Sequence, residues 1–235
     1  MVPERDIDPA NLYEQERVAF IALLRSLTPD ALAHTVPATP DWAVRDVLAH
    51  VVGITADLNA GRFDADVSDE WTGRQVSSRR DKSIDEMATE WDHEAPAFEG
   101  GLRLFGYSFG AHFLGDLMQH MGDVYAAIYE SPVRDDESVT VALGFYLESF
   151  EETLGETNLG AIQINGGDET WTVGSGDVVA SVTAPQYELL RALGGRRTPA
   201  EIRSLVWTGG AIVDDIVPLV SRYPGPTETL GEAHL

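Results

Sequence analysis

Gly115-Asp116-Leu117-Met118-Gln119-His120-Met121-Gly122-Asp123 is the stretch from which the rest of the chain is best read. Helical periodicity over 109–130 puts Phe113, Leu117, Val124 and Ile128 on one apolar stripe. Asp116, His120 and Asp123 form a polar stripe beside it, at helical spacings of four and three residues. Charged groups at the border of a buried stripe need partners, because a lone buried charge is costly. A carboxylate and an imidazole one turn apart are by themselves a weak sign of a metal site, because i,i+4 ion pairs are common on helices. A second imidazole on another helix would favour the metal. His50, in Asp46-Val47-Leu48-Ala49-His50, sits at the edge of another apolar helical face.

Two histidines and an aspartate match the ligand preferences of Zn²⁺, Ni²⁺, Fe²⁺ or Mn²⁺. Three protein ligands leave a position open to water or substrate, as a catalytic ion needs. His50, Asp116 and His120 are therefore the candidate ligands. Asp123, one turn past His120, and Asp46, one turn before His50, are candidates to orient those imidazoles through their second nitrogens. Taken singly, each has an ordinary reading as a structural histidine or an exposed helix charge. His112, one turn before Asp116, is a further candidate to reach the site.

The bulk composition narrows the chemistry. The 235 residues allow a sizeable core and more than one domain. Their 39 acidic and 16 basic side chains give a formal charge of −23, and Lys82 is the only lysine. Nucleic-acid binding is disfavoured, because phosphate contacts need clustered cations. There is no cysteine, which excludes disulfides, thiolate ligands and a cysteine nucleophile. Any metal must be held by His, Asp or Glu, and any thiol must arrive with a ligand. No apolar run is long enough for a membrane span. The charged start, Met1-Val2-Pro3-Glu4-Arg5-Asp6, does not read as a signal peptide, so a cytoplasmic protein is expected. No G-x-S-x-G, P-loop or dinucleotide-binding glycine motif supports a serine hydrolase, nucleotide hydrolase or Rossmann reading.

Helices are expected over 8–27, 41–59, 74–98 and 109–130, with a fifth from Pro132 to about Thr153. The second is expected to start from an N-cap at Asp41 or Thr39, and Gly100-Gly101 to end the third. Beyond Leu159 the pattern changes. Segments 161–165, 170–173 and 178–183 alternate and carry β-branched residues, which predicts short antiparallel strands. Short helices over 185–194, 198–206 and 211–222 and a loose tail from Pro224 follow. The fold class is α+β: a helical bundle over 1–157, then a small α+β domain over 158–235.

Several segments together resemble one family. Asp41-Trp42-Ala43-Val44-Arg45-Asp46-Val47-Leu48-Ala49-His50 is similar to the W-x-V-R-D-V-L-A-H segment of the mycothiol-dependent maleylpyruvate isomerase family, among the DinB-like metal-binding bundles of actinobacteria. Trp71-Thr72-Gly73-Arg74-Gln75-Val76-Ser77-Ser78-Arg79-Arg80 resembles its next segment, and the Gly115–Asp123 stretch its second metal segment. Glu188-Leu189-Leu190-Arg191-Ala192-Leu193-Gly194-Gly195-Arg196-Arg197 looks like the L-x-x-L-x-G-R stretch of its C-terminal domain. The resemblance runs over most of the chain in order.

It implies a DinB-like four-helix bundle, a divalent metal (usually zinc) held at His50, Asp116 and His120, and mycothiol as co-substrate. The founding isomerase has glutamate at the acid position where this chain has the shorter Asp116. The implied chemistry is addition of a thiolate to a small electrophile, as a cis–trans isomerase or a thiol S-transferase. Arg79 or Arg80, and from the second domain Arg196 or Arg197, are candidates to hold a substrate carboxylate. Metal-dependent hydrolysis and a non-enzymatic metal-binding bundle remain the alternatives. A monomer or homodimer is expected, with no nucleic-acid or membrane partner.

Overall fold

The computed structural model describes residues 6–64, 67–129, 134 and 136–232. Two compact units divide the chain, Asp8–Glu130 on the one hand and Ser131–Leu235 with Met1–Ile7 on the other.

The first unit opens with α1, Pro9–Ser26, whose N-terminus is capped by the Asp8 carboxylate accepting from the Ala10 N–H at 3.0 Å. After a single turn, α2 (Pro29–Leu32), a short antiparallel hairpin forms from β1 (Thr35–Val36) and β2 (Thr39–Ala43). The expected caps Thr39 and Asp41 lie within that hairpin. The next helix, α3 (Val44–Asn59), begins later, where Asp46 Oδ2 accepts the Ala43 N–H at 3.0 Å.

The expected third helix is two helices. One is α4 (Asp69–Ser77), the other α5 (Ile84–Phe105). A capping box separates them: Ser83 Oγ accepts the Glu86 N–H at 3.2 Å, and Glu86 Oε2 accepts the Ser83 N–H at 2.8 Å. The second of the two continues through Pro96 and Gly100-Gly101. It stops at Gly106, whose φ of +96° favours glycine. The last helix of this unit is α6, Tyr107–Ala127.

The long helices α1, α3, α5 and α6 form the four-helix bundle. Phe20, Leu24, Leu48, Met87, Trp91, Leu117 and Val124 meet in its core. Each such side chain contributes roughly 1.5–3 kcal/mol by leaving water. Tyr13 and Phe20 meet the Trp91 ring edge-on, with centroids 6.4 Å away in both cases.

The second unit begins with α7 (Glu137–Gly155), followed by β3 (Ala161–Gly166), β4 (Glu169–Val173) and β5 (Val178–Thr183). Then come α8 (Gln186–Leu193), α9 (Pro199–Ser204), β6 (Val206–Thr208), a 3₁₀ turn at Gly210–Ile212 and α10 (Val213–Val220). The sheet order is β4-β3-β5-β6. The β3–β4 pair is antiparallel as expected, but β5 lies parallel to β3. The chain alternates direction at each turn, yet β5 docks on the far side of β3 instead of beside β4. The last strand, β6, pairs antiparallel with β5.

The expected domain boundary at 157/158 differs from the division between Glu130 and Ser131. The reason is α7, which packs on α8, β4 and α10 within the second unit. The whole of α8 is buried, two opposite charges included. Arg197 grips Glu188 through Nε–Oε1 at 2.6 Å and Nη2–Oε2 at 2.8 Å. Glu232, from the tail, accepts from Arg197 Nη1 at 2.6 Å and from Arg191 Nε at 3.1 Å.

The architecture is thus α+β, with an N-terminal four-helix bundle and a C-terminal unit that carries the four-stranded sheet. Among the described residues no helix is long and apolar enough to cross a membrane.

Candidate metal centre

The apolar faces of α3 and α6 turn toward the bundle core, and that rotation carries His50 and His120 inward with them. Both are buried, at 4% and 7% exposure. Their rings meet edge to face with centroids 4.9 Å apart, and Trp42 covers His50 at 4.8 Å. Asp116 is on the same side of α6, its Oδ1 3.7 Å from His120 Nε2. Asp123, fully buried, has Oδ2 3.6 Å from His120 Nδ1. His120 thus has Asp116, Asp123 and the His50 ring as neighbours.

Neither carboxylate is within hydrogen-bonding distance of His120. Its Nδ1 is buried with no hydrogen-bond partner among the described residues. His50 is held differently. Gln75 of α4 accepts from His50 Nδ1 at 2.8 Å, and its own amide nitrogen donates to Asp57 Oδ2 at 3.1 Å. The carboxylate can only accept, so the amide must present its oxygen to the imidazole. His50 Nδ1 then carries the proton, and Nε2 keeps its lone pair. Burial, chiefly, and then the neighbouring His120 push the His50 pKa down to about 3, against the opposing influence of Asp116 and Gln75. The ring is neutral, as a metal ligand must be.

Gln75 and Asp57 take the part expected of Asp46. Asp46 stands in the first turn of α3 and spends its carboxylate on the Ala43 backbone, with Arg45 3.6 Å away. The close approach that seats Gln75 depends on Gly53, where a Cβ would stand 2.4 Å from the Gln75 Cβ. Spacing within one helix carries no signal for a partner from another, which is why Gln75 escapes a sequence reading.

The donor set fits a borderline divalent ion in kind, although no three His, Asp or Glu among the described residues are yet drawn around one metal position. Two donors on one tetrahedral ion, each about 2.0–2.1 Å from it, stand roughly 3.3 Å apart. The 3.7 Å between His120 and Asp116 is near that separation and beyond a hydrogen bond.

The arginine candidates are differently placed. Arg79 is buried and bidentate to Glu90, at 2.6 and 3.0 Å, and its Nη1 donates to the Gln75 carbonyl at 3.0 Å. It joins α4 to α5. Arg80 is exposed. Arg197 is buried in the second unit against Glu188 and Glu232, and Arg196 Nη1 donates to the Gly194 carbonyl at 3.0 Å. His112 stacks on Phe113, with centroids 4.9 Å apart.

Two cavities of the first unit lie near the histidines. Behind Gln75 is a polar cleft of about 630 Å³ walled by Asp57, Arg62, Asp64, Trp71, Arg74 and Arg79 among others. One turn along α6 from Asp116, His112 and Phe113 enter the wall of an apolar pocket of about 450 Å³. Phe63 borders both.

Residues 13–106 match the family model of the mycothiol maleylpyruvate isomerase N-terminal domain. That span includes His50, Asp57 and Gln75 and ends before Asp116 and His120. No curated protein matches the chain in sequence. A crystal structure of the mycothiol-dependent maleylpyruvate isomerase aligns with a TM-score of 0.51 at 12% identity, over 86% of this chain and 92% of that one. A crystal structure of a point mutant of that enzyme aligns over the same shares with a TM-score of 0.48, also at 12% identity. At such identity the likeness to the solved structures is one of fold. Over the segment 13–106, the chain is similar to the N-terminal domain of the mycothiol maleylpyruvate isomerase family.

Proposed function

We propose that this chain is an enzyme that uses mycothiol to isomerise a small electrophile, or joins the thiol sulfur to it as an S-transferase, at a divalent metal held by His50, Asp116 and His120. The observation that carries the reading is His120: a buried imidazole whose Nε2 stands 3.7 Å from Asp116, beyond a hydrogen bond, and whose ring meets that of His50. The family of the N-terminal segment supports the thiol. A divalent ion, zinc best by its ligands, would lower the pKa of a thiol so that thiolate is available at neutral pH.

The chain's own side chains do the rest. The Asp57–Gln75–His50 relay holds His50 in the tautomer that offers Nε2. Asp123 stands at the Nδ1 side of His120 and favours the matching tautomer there. Trp42 shields His50 from water. With no cysteine in the chain, the reacting sulfur belongs to the co-substrate. Arg79 is committed to Glu90, so its contribution is to hold Gln75's helix against α5.

Elemental analysis of the protein beside its His120→Ala variant tests the centre, followed by calorimetry with mycothiol. About one metal per chain, lost in the variant, with thiol binding that needs the metal, is the expected result. Metal content unchanged in the variant overturns the ligand assignment. Metal present without thiol binding overturns the thiol chemistry and leaves a hydrolase or a non-enzymatic metal-binding bundle.

A further inference from the structure

The apolar pocket beside α6 bears on the substrate. Its wall is dominated by Phe63, Phe98, Phe105, Phe109 and Phe113. The rings form a ladder: Phe105–Phe109 and Phe109–Phe113 have centroids 5.0 Å apart, and Phe98–Phe113 5.2 Å. Such spacing and tilt are what aromatic rings prefer for one another, and the same faces and edges receive a further ring. Two polar groups interrupt the wall, Asn59 and His112. The Asn59 amide nitrogen is occupied by Glu94, at 2.9 Å to its carbonyl and 2.7 Å to its carboxylate. A pocket of about 450 Å³ with an apolar lining and a few polar groups has the size and character of a small-molecule site.

The described lining contains no arginine or lysine. A small dicarboxylate has no arginine or lysine there to pair with, and a desolvated dianion without matching cations is strongly disfavoured. The formal charge of −23 adds long-range repulsion toward dianions. Asp116 lies one helical turn from His112, so an occupant of the pocket lies close along α6 to the candidate centre.

We infer that the pocket lined by Phe98, Phe105, Phe109 and Phe113 binds the apolar, aromatic part of an uncharged substrate, rather than a small dicarboxylate. Calling the occupant a substrate rests on the function proposed above. The binding itself does not.

Gly101 offers the decisive variant. It belongs to the pocket wall, and a Cβ there meets nothing within 4 Å. Replacing a mid-helix glycine by leucine also favours the helix. The probe is 1-naphthol, titrated into the full chain with and without zinc, with maleate as competitor. The expected result is saturable binding, independent of metal and of the His120→Ala change, weakened about tenfold or more in Gly101→Leu, since filling a site removes its occupant's contacts. Phe105→Ala, at an exposed ring, is expected to weaken it too without threatening the fold. Saturable binding abolished by maleate, or unaltered in both variants, overturns the inference, as does no saturable binding at all. Because naphthol binding is read without metal or thiol, failure of the thiol chemistry leaves this result standing, and the reverse holds as well.

Discussion

Two of the clusters of buried ionisable groups among the described residues differ in how they are closed. In the second unit, Arg197 meets Glu188 at 2.6 and 2.8 Å and Glu232 at 2.6 Å, and every contact is a short, charge-assisted hydrogen bond. In the first unit, His120 has a carboxylate on either side at 3.6 and 3.7 Å and bonds to neither. The first kind of cluster satisfies itself and serves the fold. In the second, His120 Nδ1 is buried with no hydrogen-bond partner among the described residues. Distance, more than burial or residue type, separates the two.

The comparison breaks if the closed cluster proves dispensable. Arg197→Ala should cost the second unit about 3–5 kcal/mol, since it leaves Glu188 buried without its cation. Urea unfolding followed in that unit measures it, and a loss below about 1 kcal/mol would remove the contrast. The open cluster is sharpened by Gln75→Leu, which deletes the group that fixes His50. Metal affinity should fall by about 10–100-fold in a competition titration while the helical signal persists. An unchanged affinity would mean His50 needs no orienting partner.

A smaller effect attaches to the joint between α4 and α5. Burial works to raise the Glu90 pKa, but the hydrogen bonds and charges of Arg79 and Lys82 win and hold it below the usual carboxylate range. A depressed folded-state pKa contributes stability above the unfolded value, about 4.3 for glutamate, and loses it as pH falls through the folded value. Glu90→Gln should therefore cost about 1–2 kcal/mol at neutral pH, after allowance for its partial exposure. Wild type and variant should converge as the pH falls below about 4. Melting curves that stay equally separated from pH 7 to pH 3, on the order of that range, would argue against the ion pair as the source.

The bundle and its polar stripe are legible in the sequence because both follow the 3.6-residue period. His50, Asp116 and His120 each lie at the edge of an apolar face, so burying those faces brings them together. The parts that were harder to read are those that depend on partners from elsewhere. The break between α4 and α5 is written locally, in Ser83 and Glu86, but the charged residues around it keep helical character and mask it. Gln75 acquires its role only when α4 folds across Gly53. Alternation in β5 gives its two faces but not its neighbour, so a parallel pairing with β3 looks the same as an antiparallel one. The apolar face of α7 reads as one more bundle helix, and only the presence of α8 decides which core it joins.

The reach of Glu232 into the second unit has a consequence for the order of events during synthesis. Every helix of the first unit has been made by the time Ala127 leaves the ribosome, and domains tend to fold as they emerge. The buried guanidinium of Arg191, by contrast, meets a carboxylate 41 residues further on, and Arg197, already paired with Glu188, gains that same second carboxylate from 35 residues on. Until that residue is free of the exit tunnel, α8 cannot settle with its charges matched. The second unit is therefore the late and vulnerable half of the molecule's birth, and the segment after Tyr223 acts as the latch that completes it.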